Sequence, residues 1–317
     1  MAISAKDVME LRKQTDCGMM ECKKALTEAD GNFEKAIEIL RERGLATAAK
    51  KASRTAAEGM VYADYCPQCK VGVVIEVNAE TDFVAKNDKF VAFVKEATQV
   101  IMKQNPADVE ALMACKTESG ETVMNCKMGD ETVDQALKEL ILVIKENIKV
   151  RRFTRYEGVC SAYVHGGGTH GILVNFETTN GIEAKDEFVT YGKDIAMQVA
   201  AANPGYVDEA SVPAEVVAKE KEIMLAQMAG DPKNANKPDA VKQKMIEGKI
   251  KKFFKENCLV DQEFVKDSDL TVAQYTAKVA KDLGGDIKIV KFTRFQKGEG
   301  LEKRADDFAA EVASMVK

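Results

Sequence analysis

The sequence predicts an α+β fold with segregated strands and helices, and three observations carry that prediction. Between Gly59 and Gly298 the apolar pattern switches between a period of two and one of about 3.6, in the order hairpin, helix, strand. That order occurs twice, and each round closes on a similar segment: Ile148-Lys149 with Phe153-Thr154-Arg155, then Ile287-Lys288 with Phe292-Thr293-Arg294. Strands that arrive in clusters apart from their helices favour an antiparallel sheet over a doubly wound one. The expected architecture is a small three-helix N-terminal bundle, a duplicated antiparallel α+β core, an inserted antiparallel helical hairpin and a C-terminal helix.

Residues 1–45 read as the bundle. Ser4 with Asp7 three positions on is a helix-opening pattern, and Val8 and Leu11 supply the apolar face. Gly18 breaks the chain, and Met19–Asp30 makes a second helix with Met20, Ala25 and Leu26 inward. The turn Asp30-Gly31-Asn32 starts a third, where Phe33, Ala36, Ile37 and Leu40 recur at helical spacing until Gly44 ends it. A unit of about 40 residues is near the lower limit for independent folding, which suits a recognition module. Residues 46–58 are rich in Ala and basic residues and read as a linker. Its cations Lys50, Lys51 and Arg54 form either a solvated face or a partner contact.

Residues 59–157 form the first half of the core: two strands around Cys66-Pro67-Gln68-Cys69, a helix over 88–104, a polar loop, the helix VDQALKELILVIKENI and the strand IKVRRFTRYEG. Residues 158–297 form the second, with the hairpin VCSAYVHGGG/THGILVNFETT and a helix over 186–202. Inserted there is a helical hairpin, 213–257, opened by Pro213. Val217, Met224 and Met228 line its first arm, and Val241, Met245, Ile246, Ile250 and Phe253 its second. Residues 298–317 end the chain as an amphipathic helix with Phe308, Val312 and Met315 on one side.

Composition narrows the function. The chain has 317 residues, 46 basic and 51 acidic, two His, eight Cys and no Trp. His165 and His170 are too few for a conventional His-based hydrolase or multi-His metal site. A formal charge of −5 disfavours a broad nucleic-acid-binding surface. No stretch approaches the roughly 18 apolar residues of a membrane span. The start MAISAKDVMELRKQT has no apolar region of secretory type, so a cytoplasmic protein with thiols kept reduced is expected.

Cys66-x-x-Cys69 lacks the further ligands of a zinc site and lies between strands. It reads as a structural loop, with a thiol or zinc role as the alternative. The other cysteines read as small hydrophobes. Gly166-Gly167-Gly168 is a hairpin turn that holds His165 at its edge; a phosphate loop would need a following Lys and a helix start. Lys249–Lys255 reads as a solvated helical face. The segment Asn78–Asn87 leaves a strand and enters a helix, and T-D-F-V-A-K-N sets a carboxylate beside a large apolar side chain on that corner. At such a junction a Phe ordinarily packs quietly in the core; the alternative is a device for insertion into a partner's cleft.

T-D-F-V-A-K-N, with Arg12, Thr15, Gly18, Met19, Met20, Cys22, Lys23, Lys24, Ala25 and Leu26 in the pattern R-x-x-T-x-x-G-M-M-x-C-K-K-A-L, closely resembles the bacterial translation elongation factor Ts family. The likeness covers essentially the whole chain, departing at the Cys66–Cys69 tip, the loop near 105–130 and the glycine stretch, which is one residue longer. It implies a ubiquitin-associated-like bundle, and a guanine-nucleotide exchange factor without covalent chemistry, cofactor or metal. The implied partner is elongation factor Tu, GDP-bound and nucleotide-free, in a one-to-one or two-to-two assembly, with no direct nucleic-acid or membrane contact. It further implies that Thr81, Asp82, Phe83 and Val84 disturb the partner's magnesium site. His165 would press near its phosphate loop. Arg12, Met19, Met20 and Phe308 would add contacts, and the hairpin would meet another Tu domain or a second Ts. His170 receives no role.

Overall fold

A computed structural model of the chain describes residues 3–15, 17–118, 131–231 and 237–302. The expected C-terminal helix, with Phe308, lies outside the described residues.

The bundle comprises α1 (Ala5–Thr15), α2 (Met19–Glu28) and α3 (Phe33–Lys51). Ser4 and Asp7 cap α1 reciprocally, the Ser4 N–H donating to Asp7 Oδ2 at 3.0 Å and the Asp7 N–H to Ser4 Oγ at 3.1 Å. Asn32 caps α3 by accepting the Lys35 N–H at 3.0 Å. Val8, Leu11, Cys22, Ala25, Leu26, Ala36 and Leu40 close the seam. Two expectations fail here. Met20 points outward, because about 100° per residue sets it on the face opposite buried Cys22. The third helix runs past Gly44 to Lys51, since the Ala-rich segment that follows strongly favours helix and outweighs the roughly 1 kcal/mol cost of one glycine. Gly44 lies against α6 (Val133–Ile144), where a Cβ would stand 3.4 Å from the Lys138 carbonyl oxygen. Leu142 of α6 enters the bundle's own core.

The core is two three-stranded antiparallel sheets. The first runs β1 (Glu58–Cys66), β2 (Val71–Ala79), β3 (Lys149–Glu157), and the second β4 (Val159–His165), β5 (His170–Thr178), β8 (Ile287–Gln296). The two F-T-R segments are the third strands, paired to β2 and β5. Every residue of β2 is buried, and its alternation says by what. Val71, Val73, Ile75, Val77 and Ala79 face a helical layer that includes α4 (Asp88–Gln104) and α6, whereas Val74 packs on Leu173 and Cys160 of the other sheet. In the second half Ile172, Val174 and Phe176 meet α7 (Asp186–Ala202) and α10 (Val272–Leu283). The layers are therefore helix, sheet, sheet, helix.

Glycines set the distance between the sheets. A Cβ on Gly72 of β2 would stand 2.6 Å from Leu173 Cδ1, and one on Gly171 of β5 would stand 2.4 Å from Val61 Cγ1 and 3.2 Å from Val74 Cγ2. Gly72 and Val74 correspond to Gly171 and Leu173 in the repeat, so each half offers a glycine to the other's aliphatic residue. That is the self-complementary pattern of a two-fold interface, here within one chain.

The inserted hairpin is α8 (Ala214–Gly230) and α9 (Asp239–Asn257), zipped by Met228, Ile246 and Ile250 with Val217, Met224, Met245 and Phe254. Val241, expected on the stripe, is exposed, and Phe253 is half-buried against Phe254. The hairpin's base is tied where the Leu259 N–H donates to the Tyr206 carbonyl at 2.9 Å. Three pieces have no counterpart in the sequence reading: the short α5 (Val109–Ala114), the β6–β7 pair (Glu263–Phe264 and Asp267–Thr271) and the 12-residue α10.

Candidate functional site

The corner between β2 and α4 is held at both ends and bare in the middle. Upstream, the Thr81 N–H and Oγ1 both donate to the Glu146 carboxylate, at 2.9 and 2.7 Å. Glu80 Oε1 accepts the Asn147 N–H at 2.6 Å and faces Arg54 at 3.5 Å, while Asn147 Nδ2 donates to the Arg54 carbonyl at 2.6 Å. Downstream, Val84 is 4% exposed and begins a single 3-10 turn through Lys86. Asn87 then caps α4, accepting the Lys89 and Phe90 N–H groups at 3.0 and 3.3 Å. Between these anchors Asp82 is exposed and Phe83 is 79% exposed, the highest value among the large exposed hydrophobics of the described residues. The Phe83 backbone is relaxed, at φ −61° and ψ −35°. Its exposure comes from the anchored frame and involves no strain.

His165 ends β4 opposite His170. Its Nδ1 hydrogen-bonds the Tyr163 hydroxyl at 3.0 Å, and the His165 and His170 rings lie 6.3 Å apart. Burial, then the nearby Arg294 charge, pull His170 below its ordinary pKa. Gly166, Gly167 and Gly168 all adopt positive φ, at 59°, 64° and 100°, and this is what the three-glycine turn requires. The Gly168 carbonyl accepts the Val61 N–H at 2.8 Å, so the turn rests on β1. Glu58 of β1 pairs with Ala79, the last residue of β2 before the corner. Val61 lies three residues further, or about 10 Å at the usual strand rise. The His165 turn and the Asp82-Phe83 corner therefore share one end of the core.

Arg12 is exposed on α1, and Met19 and Met20 open α2 at 39% and 62% exposure. The sequence reading missed Met9, equally bare; its place beside inward-facing Val8 was the available signal. It also missed Glu146 and Asn147. Their loop serves the bundle as well, because Lys51 at the end of α3 donates to the Lys145 carbonyl. One short loop thus fixes both the bundle's last helix and the exposed corner. Among the described residues no group of three or more His, Cys, Asp or Glu could hold a metal, and no helix is long and apolar enough to cross a membrane.

Comparison with known proteins places the whole. Residues 80–299 match the family model described as Elongation factor TS. The chain is 46% identical to an elongation factor Ts of Syntrophotalea carbinolica over 100% of both chains. It is 47% identical to one of Clostridium novyi, over 98% of this chain and 97% of that one. With one of Clostridium perfringens it shares 45% identity over 99% of each. The matched region takes in the corner, the His165 turn and both sheets except β1 and β2, and the relatives extend the likeness through the bundle: the chain belongs to the elongation factor Ts family of translation elongation factors.

Proposed function

We propose that the chain is the guanine-nucleotide exchange factor of elongation factor Tu, and that Thr81–Val84 is the element that displaces GDP. The observation that carries this reading is Phe83, 79% exposed between two anchored ends of a rigid corner. An apolar ring held bare in this way costs hydration free energy until a cleft covers it. Asp82 beside it brings a negative charge into the neighbourhood of the partner's magnesium ion, which competes with the phosphates for that cation. His165, at the same end of the core, presses on the phosphate-loop side. Met19, Met20 and Arg12 dock the bundle on the partner's nucleotide domain, and Phe308 belongs to the same set. The chain supplies no covalent chemistry.

Magnitudes explain the several modules. A ten-thousand-fold acceleration of release takes about 5.5 kcal/mol off the barrier. Burying one Phe provides roughly 1.5–3 kcal/mol. The remainder comes from contacts that are better in the nucleotide-free complex than in the loaded one, and linkage requires GDP to weaken the complex by the same factor. The loop at Lys145–Asn147 supports such coupling, since it links the bundle to the corner.

The test is release of a fluorescent GDP analogue from elongation factor Tu, followed by stopped flow with excess unlabelled GDP. Strong acceleration by the wild-type chain, and a complex that dissociates on adding GDP, are expected. Unaccelerated release would overturn the reading. Light scattering on the same complex separates a one-to-one from a two-to-two assembly.

A further inference from the structure

The tip of the β1–β2 hairpin carries a feature that nucleotide exchange does not use. Cys66 is half-buried and Cys69 exposed there, whereas Cys17, Cys22, Cys160 and Cys258 are buried. The turn folds the second cysteine back on the first: the Cys69 N–H donates to Cys66 Sγ at 3.1 Å. The frame is fixed, because Cys66 pairs with Val71 at the end of the β1–β2 ladder and Lys70 closes the turn at φ 52°. Lys70 Nζ also reaches Glu183 at 3.5 Å, which ties the tip to the second half of the core.

We propose that Cys66 and Cys69 are a redox-active dithiol that exchanges with small-molecule disulfides of the glutathione class, Cys66 attacking and Cys69 resolving. Cys66 loses its proton to solvent, and its thiolate attacks one sulfur of the disulfide R–S–S–R, forming a mixed disulfide and releasing one RS⁻. Cys69 then loses its proton, attacks Cys66 Sγ and displaces the second RS⁻. The two leaving thiolates take up the two protons. Overall, two cysteine thiols and one disulfide become one Cys66–Cys69 disulfide and two RSH, with two electrons passing from the cysteines to the reagent.

The division of labour follows from the turn. The Cys69 thiol, then the Cys69 backbone N–H, donate to Cys66 Sγ and favour its thiolate, which holds Cys66 below the ordinary thiol range. Giving its hydrogen to Cys66 raises Cys69. While protonated, Cys66 reaches Gln68 Oε1 at 3.8 Å, a weak contact that opposes ionisation only slightly. Zinc would need about four ligands, and the described residues offer no group of three around the pair. Two cysteines folded onto one turn need no further protein group to form a disulfide.

The test uses the full chain, freshly reduced, exposed to oxidised glutathione, quenched at intervals by alkylation and mapped by peptide mass. The expected first product is the chain lighter by two hydrogens, with the link at Cys66–Cys69. Cys69→Ser should retain glutathione on Cys66, and Cys66→Ser should acquire it on Cys69 at least about tenfold more slowly. Circular dichroism checks that both variants fold, and the wild-type map decides the question by itself if either does not. A glutathione adduct on the wild type that never closes, a first disulfide elsewhere, or equal rates for the two variants would overturn the proposal. Each outcome is independent of nucleotide exchange.

Discussion

Replacing Phe83 by Ala separates a wedge from a core residue. The ring is 79% exposed, so little of it is buried in the free chain and truncation should change folding stability by no more than about 0.5 kcal/mol. In a partner's cleft the exposed fraction becomes buried. Four-fifths of the roughly 1.5–3 kcal/mol assigned to a fully buried Phe is about 1.2–2.4 kcal/mol, or about 8- to 60-fold in rate. Val84→Ala, one residue on, is the control: Val84 is 4% exposed, and its truncation should cost about 1.5–3 kcal/mol of stability. Urea unfolding measures the first quantity and stopped-flow GDP release from elongation factor Tu the second. A Phe83→Ala chain that lost more than about 1 kcal/mol of stability would refute the geometry. One that folded normally and exchanged nucleotide at the wild-type rate would refute the role.

Glu146→Ala should leave Phe83 in place but free the corner, because both Thr81 hydrogen bonds end on that carboxylate. The loss should be about 1–2 kcal/mol, with faster amide hydrogen exchange at Thr81 and slower GDP release. Gly171→Ala puts a Cβ 2.4 Å from Val61 Cγ1 between the sheets and should destabilise by about 1–3 kcal/mol in a urea titration; unchanged stability would mean that the sheets stand further apart. Glu131 lies beside Glu139 and Arg41, where the bundle meets α6, and burial, then Glu139, push its carboxyl from 4.5 to about 8. A folded value above the unfolded one means that this contribution is full below pH 4.5 and is lost as pH rises towards about 8. Urea midpoints should therefore fall between about pH 5.5 and 8, and Glu131→Gln should flatten that slope.

Much of this fold was legible because its signals are periodic. The α+β class, the helix over 186–202 and the two F-T-R third strands are all found, the helix at Asp186–Ala202. What periodicity cannot weigh is competition between local rules. Gly44 reads as a stop, yet α3 continues because alanines follow and α6 accepts a close approach. Short elements such as α5 and the two-residue β6 carry too few residues for a period to register. At the corner, T-D-F-V was visible as a run, but its anchors were not. Glu146 is 65 residues from Thr81, and Asn147 is 67 from Glu80, separations at which no spacing rule operates. Exposure of Phe83 was likewise unreadable, since an aromatic at a strand-to-helix junction is ordinarily core.

The duplication shows what singles that corner out. In both halves a side-chain oxygen just beyond the central strand accepts the backbone N–H of the residue directly before the Ile-Lys pair that leads into the third strand: Glu80 from Asn147, and Thr179 from Asp286, the latter at 2.8 Å. The shared frame therefore needs neither Glu146 nor Phe83. Four residues separate Ala79 from Val84 in the first half, but only three separate Thr178 from Ile182 in the second. The shorter link passes through Asn180 and Gly181 at φ 59° and 68°, and it carries no aromatic. Opposite it, the position corresponding to Glu146 is Gly285, where a Cβ would stand 2.8 Å from the Thr179 carbonyl oxygen. The second corner is thus closed down tightly, while the first is lengthened by one residue, braced by a carboxylate and left with a bare ring. Stability accounts for the second arrangement. It does not account for the first, because a bare Phe contributes nothing to folding that a polar residue would not, and the brace at Glu146 holds in place a side chain that the core does not use. The asymmetry fits the proposal that Phe83 is buried in something other than this chain.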